Sequence, residues 1–383
     1  MEKRRKVTFV VSDLGSNNIG PVVRMARYLE PEFDVEIAGP CPWGEPNAMY
    51  KKSFEFKVVD MPRMYRFPEF FSEIGKLATA ATGDVLVAMK AFAPALPAAL
   101  RAKRMRGAKV MVYLDEWDGA TRASWNRREC LTHLLRDWMH PCNDLWTPFW
   151  EKRLKEADIL LGTTSFLERK FNAIRYDLGT DTGFFKPQPA AVAESLRANL
   201  GLDRARVVAF GGVVRPHKGL ETFAEAIASM PAGENWRLLL VGPRNECTVS
   251  MVDNPRYGGR VMCTGSIPHP DMPKYLSMAD VLVVPLGTGT MASSQMPCKV
   301  YEAMAMEKPV LASAVSDVPE VLAGCGWTVE AGNSAAVAAA LREISGNPEK
   351  ARTRARLARE RCVATYSAEH AGQRLRDIVR SLL

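Results

Sequence analysis

Two stretches in the second half of the chain set cations, glycines and one carboxylate where an anionic ligand carrying hydroxyl groups would need them. The first, GGVVRPHKGLETFAEAIA at residues 211–228, ends a β-branched run with a glycine pair that includes Gly212. Arg215 and Lys218 follow on the loop that opens an amphipathic helical pattern. Backbone N–H groups, the helix dipole and two cations would converge on one point there, which is a diphosphate site in physical terms. The same residues also read as an ordinary strand-turn-helix with solvated basic side chains. His217, between the two cations, reads as a loop residue rather than a base.

The second stretch is SQMPCKVYEAMA at residues 294–305. Pro297 predicts a helix start, so Ser294, Gln295 and Met296 would present backbone amides at its positive end, with Lys299 beside them. Glu302 lies about one turn further on, where a carboxylate can accept two hydrogen bonds from sugar hydroxyls. The plainer reading is a solvated Glu paired with Lys299. The small apolar neighbours Ala303, Met304 and Ala305 argue against it, because they predict a helix buried on most sides. The preceding GTGTMASS supplies glycines and hydroxyls but no second carboxylate.

In the first half, SDLGSNNIGPVVRMA follows an apolar run and carries Gly15, Asn17, Asn18 and Gly20. It does not fit G-x-G-x-x-G, which argues against a nicotinamide or flavin fingerprint, and no Walker A sequence occurs. Glycines and asparagines after a strand can also simply make a turn. VYLDEWDGATR at 112–122 ends a strand pattern with Asp115, Glu116 and Asp118 around Trp117. Paired carboxylates can do general acid/base work, or they can cap a helix.

Something must hold these loops. Short β-branched runs alternate with helical patterns along the whole chain, the signature of βαβ units and parallel sheets in an α/β protein. Six strands are expected in the first half (KVTFVVS, DVEIAGP, EFKVVDM, DVLVAMK, KVMVYLD, DILLGTT) and six in the second (RVVAFGGV, RLLLVG, RVMCTG, DVLVVPL, PVLASA, GWTVE). Two similar sets predict two doubly wound, Rossmann-like domains, with the ligand outside the carboxyl ends of the strands. The Pro-bearing stretch FFKPQPAAVAESLRANLGLD connects them, and the pattern turns all-helical after Gly332.

The 383 residues exceed one ordinary domain, and 47% hydrophobic with 25% charged residues is a globular composition. The net charge of +8 suits an anionic partner without choosing one. Eight Cys lack C-x-x-C or zinc spacing, so they read as free thiols in a reducing cytoplasm. The apolar run after MEKRRK is too short for a signal peptide, and prolines break AFAPALPAAL, so no membrane span is expected. MPRMYRFPEFFSEIGK, LLRDWMHPCNDLWTPFWEKRLK and the basic run RAKRMRGAK mix aromatics, Met and cations, which fits either a peripheral membrane surface or core packing.

RPHKGLE, then SSQMPCKVYEAMAMEKPVLAS and VPEVL, closely resemble the donor half of glycosyltransferase family 4, retaining enzymes with the GT-B fold. The resemblance extends back through ADILLGTTSFLERKF and LGTDTGFFKP and forward through the helical tail, covering residues 158–383 best. It implies an acceptor-side domain at 1–187, a nucleotide-sugar domain at 188–365 facing it across a cleft, and a last helix, 366–383, that returns to the first domain. It implies that Arg215 and Lys218 hold the donor diphosphate and that Glu302 holds the ribose, among donor contacts from Gly212, Ser294, Gln295, Met296, Pro297 and Lys299. Gly15, Asn17, Asn18, Gly20, Asp115 and Glu116 would line the acceptor side, with Asp115 beside the reacting sugar where many members have His-Asp. The first Glu of the family's E-x7-E motif falls on Ser294, so its sugar contact does not carry over.

The implied activity is transfer of a sugar from a nucleotide-diphosphate donor to a sugar, lipid-linked or other acceptor in glycan, polysaccharide or glycoconjugate synthesis. Anomeric configuration would be retained, without metal or cofactor, and without nucleic acid as partner. The implied setting is the cytoplasm, or the inner face of the membrane. Other readings stay open: a nucleotide-sugar epimerase or a phosphorylase on the same fold, and a partner subunit that binds nucleotide sugar without turning it over, which Ser294 in place of the family's Glu keeps in play.

Overall fold

Apolar runs with no polar face can be satisfied only between two layers of helices, which is where a parallel sheet puts its strands. The computed structural model, which describes residues 4–16, 18–51 and 54–383, has two such sheets. They belong to two units, Met1–Leu178 with Glu369–Leu383, and Gly179–Ala368.

The first unit holds β1 (Lys6–Val10), β2 (Asp34–Gly39), β3 (Phe56–Val58), β4 (Val85–Met89), β5 (Lys109–Leu114), β6 (Ile159–Gly162) and β7 (Ile174–Arg175). Their order is β3-β2-β1-β4-β5-β6-β7, every pairing parallel. All five residues of β4 are buried. The order reverses between β1 and β4, so the loops after these strands meet at the switch point, the usual place for a ligand in this architecture. The helix Ala368–Leu382 closes the unit. Its Leu375 and Val379 are fully buried, Ala371 O accepts from Tyr176 Oη at 3.1 Å, and Arg376 donates to Tyr28 O at 2.8 Å.

The second unit holds β8 (Arg206–Gly211), β9 (Trp236–Val241), β10 (Val261–Cys263), β11 (Val281–Val284), β12 (Val310–Ser313) and β13 (Trp327–Val329). The order β10-β9-β8-β11-β12-β13 repeats the same winding, with the switch between β8 and β11. The helices Ser334–Gly346 and Pro348–Thr365 complete its helical tail.

Each of the twelve expected strands is present. The two-residue β7 is additional, too short to leave a periodicity. The units divide at 178/179, not at 187/188. Residues 179–187 stay with the second unit because Thr180 bridges to Ser367 and Phe185 is buried in the cluster that includes Leu202 and Leu276. Among the described residues, no helix is long and apolar enough to cross a membrane.

Candidate active site

In the second unit, glycines allow the two conspicuous loops to touch. Gly212 continues β8 at φ 138°, with its N–H on Val241 O at 2.9 Å. A Cβ on Gly242, just past the end of β9, would overlap the Gly212 carbonyl, so Gly242 needs to be glycine, while Gly212 is favoured by its positive φ. The chain then makes a single 3-10 turn, Pro216–Lys218, whose His217 O accepts from Gly287 N at 3.1 Å, and enters the helix Leu220–Ser229 through Gly219 at φ 68°. Lys218 Nζ reaches Gln295 Oε1 at 3.5 Å, which brings the loop after β8 to the loop after β11. Arg215, at the start of the turn, is exposed.

The second stretch differs from expectation in two respects. Its helix runs Lys299–Ala305 and begins two residues after Pro297, because a separate short helix, Thr290–Ser293, precedes it. That short helix uses the amides expected to face a ligand: Ser294 N donates to Thr290 O and Met291 O, and Gln295 N to Ala292 O. Ser294 is fully buried with its hydroxyl on Met291 O at 3.0 Å, and Met296 is spent on the core. Pro297 O accepts from Val300 N at 3.0 Å. The amides of Ser294 and Gln295 are therefore not the open cradle that the sequence suggested. What Gln295 contributes is its side chain.

Glu302 is buried, 7% exposed, among Tyr301, Ala303 and Met304. It also pairs with Lys299, Nζ to Oε2 at 2.9 Å. The ion pair that the apolar neighbours argued against is formed, because an i,i+3 lysine can lay its stem along the helix while its ammonium stays half exposed. The Lys299 stem also lies 3.4 Å from where a Gly212 side chain would begin.

In the first unit, a pocket of about 220 Å³ lies at the switch point, between the ends of β1, β4 and β5. Asn18 and Asp115 line it with Ser12, Asp13 and Lys90. Gly15 donates its N–H to Asp13 Oδ1 at 2.8 Å and shapes the loop, while Gly20, in the first turn of the helix Ile19–Leu29, sits against the Tyr50 hydroxyl. Asn17 lies outside the described residues.

The acids at the end of β5 do not cap a helix. They surround Lys90, whose Nζ is 3.4 Å from Asp115 Oδ1, 2.5 Å from Glu116 Oε1 and 3.4 Å from Asp118 Oδ1. Lys90 occupies the left-handed region at φ 70°, a strained choice for a residue with a Cβ. Asp118 Oδ2 accepts from Ala91 N at 3.0 Å. Burial works against a charged Lys90, but Asp115, Asp118 and Glu116 outweigh it and hold its pKa above the ordinary lysine range. Burial also raises both aspartates against the pull of Lys90, Asp118 to about 7. The only signal of Lys90 in the sequence is a single cation that ends the apolar run VLVAM.

Residues 204–347, which include the whole second-unit site, match the family model described as Glycosyl transferases group 1. The alpha-D-kanosaminyltransferase of Streptomyces kanamyceticus is 25% identical over 192 residues, covering 49% of this chain and 48% of that protein. A GDP-mannose-dependent phosphatidylinositol monomannoside mannosyltransferase of Mycobacterium tuberculosis is 28% identical over 210 residues, covering 53% and 54%. The chain thus spans about half the length of the curated relatives it matches. Among solved structures, Anabaena HepE in complex with UDP superimposes with a TM-score of 0.79 at 16% identity over 98% of this chain and all of that one. Sucrose-phosphate synthase from Thermosynechococcus elongatus gives 0.74 at 20% identity, over 99% of both chains. The chain accordingly has the GT-B fold and, over residues 204–347, is similar to the group 1 glycosyl transferases.

Proposed function

We propose that this protein is a glycosyltransferase that moves a sugar from a nucleotide-diphosphate donor to a sugar-bearing or lipid-linked acceptor in glycan biosynthesis. The observation that carries this reading is the contact of Lys218 with Gln295, which joins the loops after β8 and β11 within the segment that matches the group 1 transferases. Lys218, with Arg215 on the same turn, would stabilise the charge that develops on the departing diphosphate, and Glu302 would hold the ribose. Retention follows the resemblance to family 4, in which the acceptor attacks the face the diphosphate leaves and a diphosphate oxygen takes its proton. On the acceptor side, Asp115 and its pocket are the best placed group. Metal independence is part of the proposal: the carboxylates at the end of β5 already enclose the ammonium of Lys90. A cytoplasmic setting, in contact with a membrane that carries the acceptor, completes it.

The test is incubation with a panel of nucleotide sugars and acceptors in the presence of chelator, measuring released nucleoside diphosphate and the anomeric configuration of the product. Release that depends on acceptor and survives chelator is expected. Binding of a nucleotide sugar without release would instead support the reading as a non-catalytic partner subunit, which the inward-turned Ser294 favours. Complete loss in chelator with recovery on adding Mn²⁺ would overturn the metal-free mechanism.

A further inference from the structure

A surface helix normally buries its apolar stripe. The helix Arg127–Asp137 has no buried residue. Leu131, Leu134 and Leu135, with Trp138 just beyond its end, share one face at helical spacing and are exposed by 56%, 52%, 72% and 52%. The helix is held from another side: His133 stacks on Trp125 at 3.7 Å, and Cys130 receives Arg122. Its first turn is fixed by the Asn126 and Glu129 capping box. The apolar stripe is thus displayed by a well-anchored helix.

The stripe runs into a groove of about 610 Å³ in the same unit. Trp146 Nε1 donates to Trp138 O at 3.1 Å and Phe67 N to Met139 O at 3.0 Å, so the end of the stripe and the groove are continuous. Phe67, Phe71, Trp146 and Phe149 form its apolar lining, and Arg101, Arg104 and Arg153 stand around it. Among the described residues, every strongly exposed aromatic side chain (Trp43, Phe71, Trp138, Phe149) belongs to the first unit. On the helix, Arg127 and Arg128 flank the start of the stripe and make no ion pair among the described residues. Contiguous exposed apolar surface of this kind marks an interaction site.

We propose that this helix and groove form a docking surface for an anionic phospholipid membrane. Leu131, Leu134, Leu135 and Trp138 enter the boundary between headgroups and acyl chains, and the arginines meet lipid phosphates. The charge decides among occupants. Six arginines (Arg127, Arg128, Arg136 and the three of the groove) stand along the stripe and groove, where Arg136 pairs with Asp137 and Arg153 with Glu156, and Glu129 and Asp144 lie close by. Positive charge is in excess, so a second copy docked face to face would set like charges against each other. This assignment locates the membrane contact proposed above, and it is tested without any transfer reaction.

The experiment is co-sedimentation of the full chain with vesicles of phosphatidylcholine alone and of equal parts phosphatidylcholine and phosphatidylglycerol. Binding to the mixed vesicles that weakens with salt is expected, with little binding to the neutral ones. Leu134→Glu with Leu135→Glu should abolish it. Arg127→Ala with Arg128→Ala should weaken it about thirtyfold, from roughly 1 kcal/mol per basic residue at an anionic surface. All four positions are exposed, so nucleotide binding and melting temperature should be unchanged in both variants. No binding to anionic vesicles, equal binding to neutral ones, or wild-type binding by the leucine variant would overturn the proposal. So would a wild-type dimer that the leucine variant dissolves, which would assign the surface to a second copy.

Discussion

Lys218 Nζ lies 3.5 Å from Gln295 Oε1, although the two residues are 77 positions apart. That distance is at the long end of hydrogen bonding, so the amide oxygen orients the ammonium loosely. Gln295 is also neutral and brings no negative charge to the place where a diphosphate would compete for the lysine.

Two substitutions test this relationship. Lys218→Ala should lower kcat by roughly 10² to 10³, the usual loss for one donor aimed at developing charge. Gln295→Glu should approach that loss while keeping the shape, because a carboxylate would hold the ammonium in an ion pair that the departing diphosphate must break. Steady-state kinetics against donor concentration decides it. A Gln295→Glu enzyme with wild-type kcat would remove Lys218 from the leaving-group site.

Glu302 is expected to fail differently. Glu302→Gln keeps the volume but gives up the Lys299 ion pair and the charged acceptor for hydroxyls, an interaction equal in ground and transition states. Donor KM should rise by roughly 10- to 100-fold, the range for hydrogen bonds to a charged group, with kcat little changed. A donor lacking the ribose hydroxyls should discriminate wild type from variant far less than the natural donor does. If the two enzymes differ equally on both donors, Glu302 does not touch the ribose.

Much of this was legible in the sequence because periodicity and turn residues act locally. Runs such as RVVAFGGV and DVLVVPL declared buried parallel strands, and the loop bearing Arg215 and Lys218 and the segment leading to Glu302 followed them. What escaped notice depends on side-chain direction. The sequence suggests free amides at Ser294 and Gln295, but a one-turn helix at Thr290–Ser293 consumes their N–H groups, and so short a helix has no periodicity to detect. Lys90 and Asp118 are 28 residues apart on different strand ends and meet only because β4 and β5 pair in parallel register. The boundary at 178/179 is set by the Thr180–Ser367 bridge, a contact between distant segments that no local pattern records.

Gly242 tests the geometry without touching a ligand. A Cβ there would overlap the Gly212 carbonyl, and backbone cannot swing aside as a side chain can. Gly242→Ala should therefore cost roughly 1–3 kcal/mol in stability, as overpacking does, and should displace the loop that carries Arg215 and Lys218. The measurements are chemical denaturation and donor binding. Affinity should fall by more than the fraction unfolded accounts for. A variant as stable as wild type with unaltered affinity would show that the β8 and β9 loops are not held as described.

The cluster around Lys90 predicts a pH dependence with a definite sign. Asp118 titrates at about 7 in the folded chain, because burial opposes its charge more than Lys90 favours it, and near 3.9 when unfolded. Between those values the folded state binds the extra proton, so Asp118 makes stability fall as pH rises from about 4 to 7. Asp118→Asn removes that slope while its amide oxygen can still accept from Ala91 N. The variant should gain on wild type as the pH is raised through this window. Lys90→Met should do the reverse, leaving carboxylates buried without their cation at a cost of roughly 3–5 kcal/mol above neutral pH. That cost should shrink under acid conditions, where the carboxyls can accept protons instead. Denaturant unfolding of the three proteins on both sides of the window separates charge from packing: a Lys90→Met deficit of the same size at both pH values would mean that the lysine stem, not its ammonium, is what the site requires.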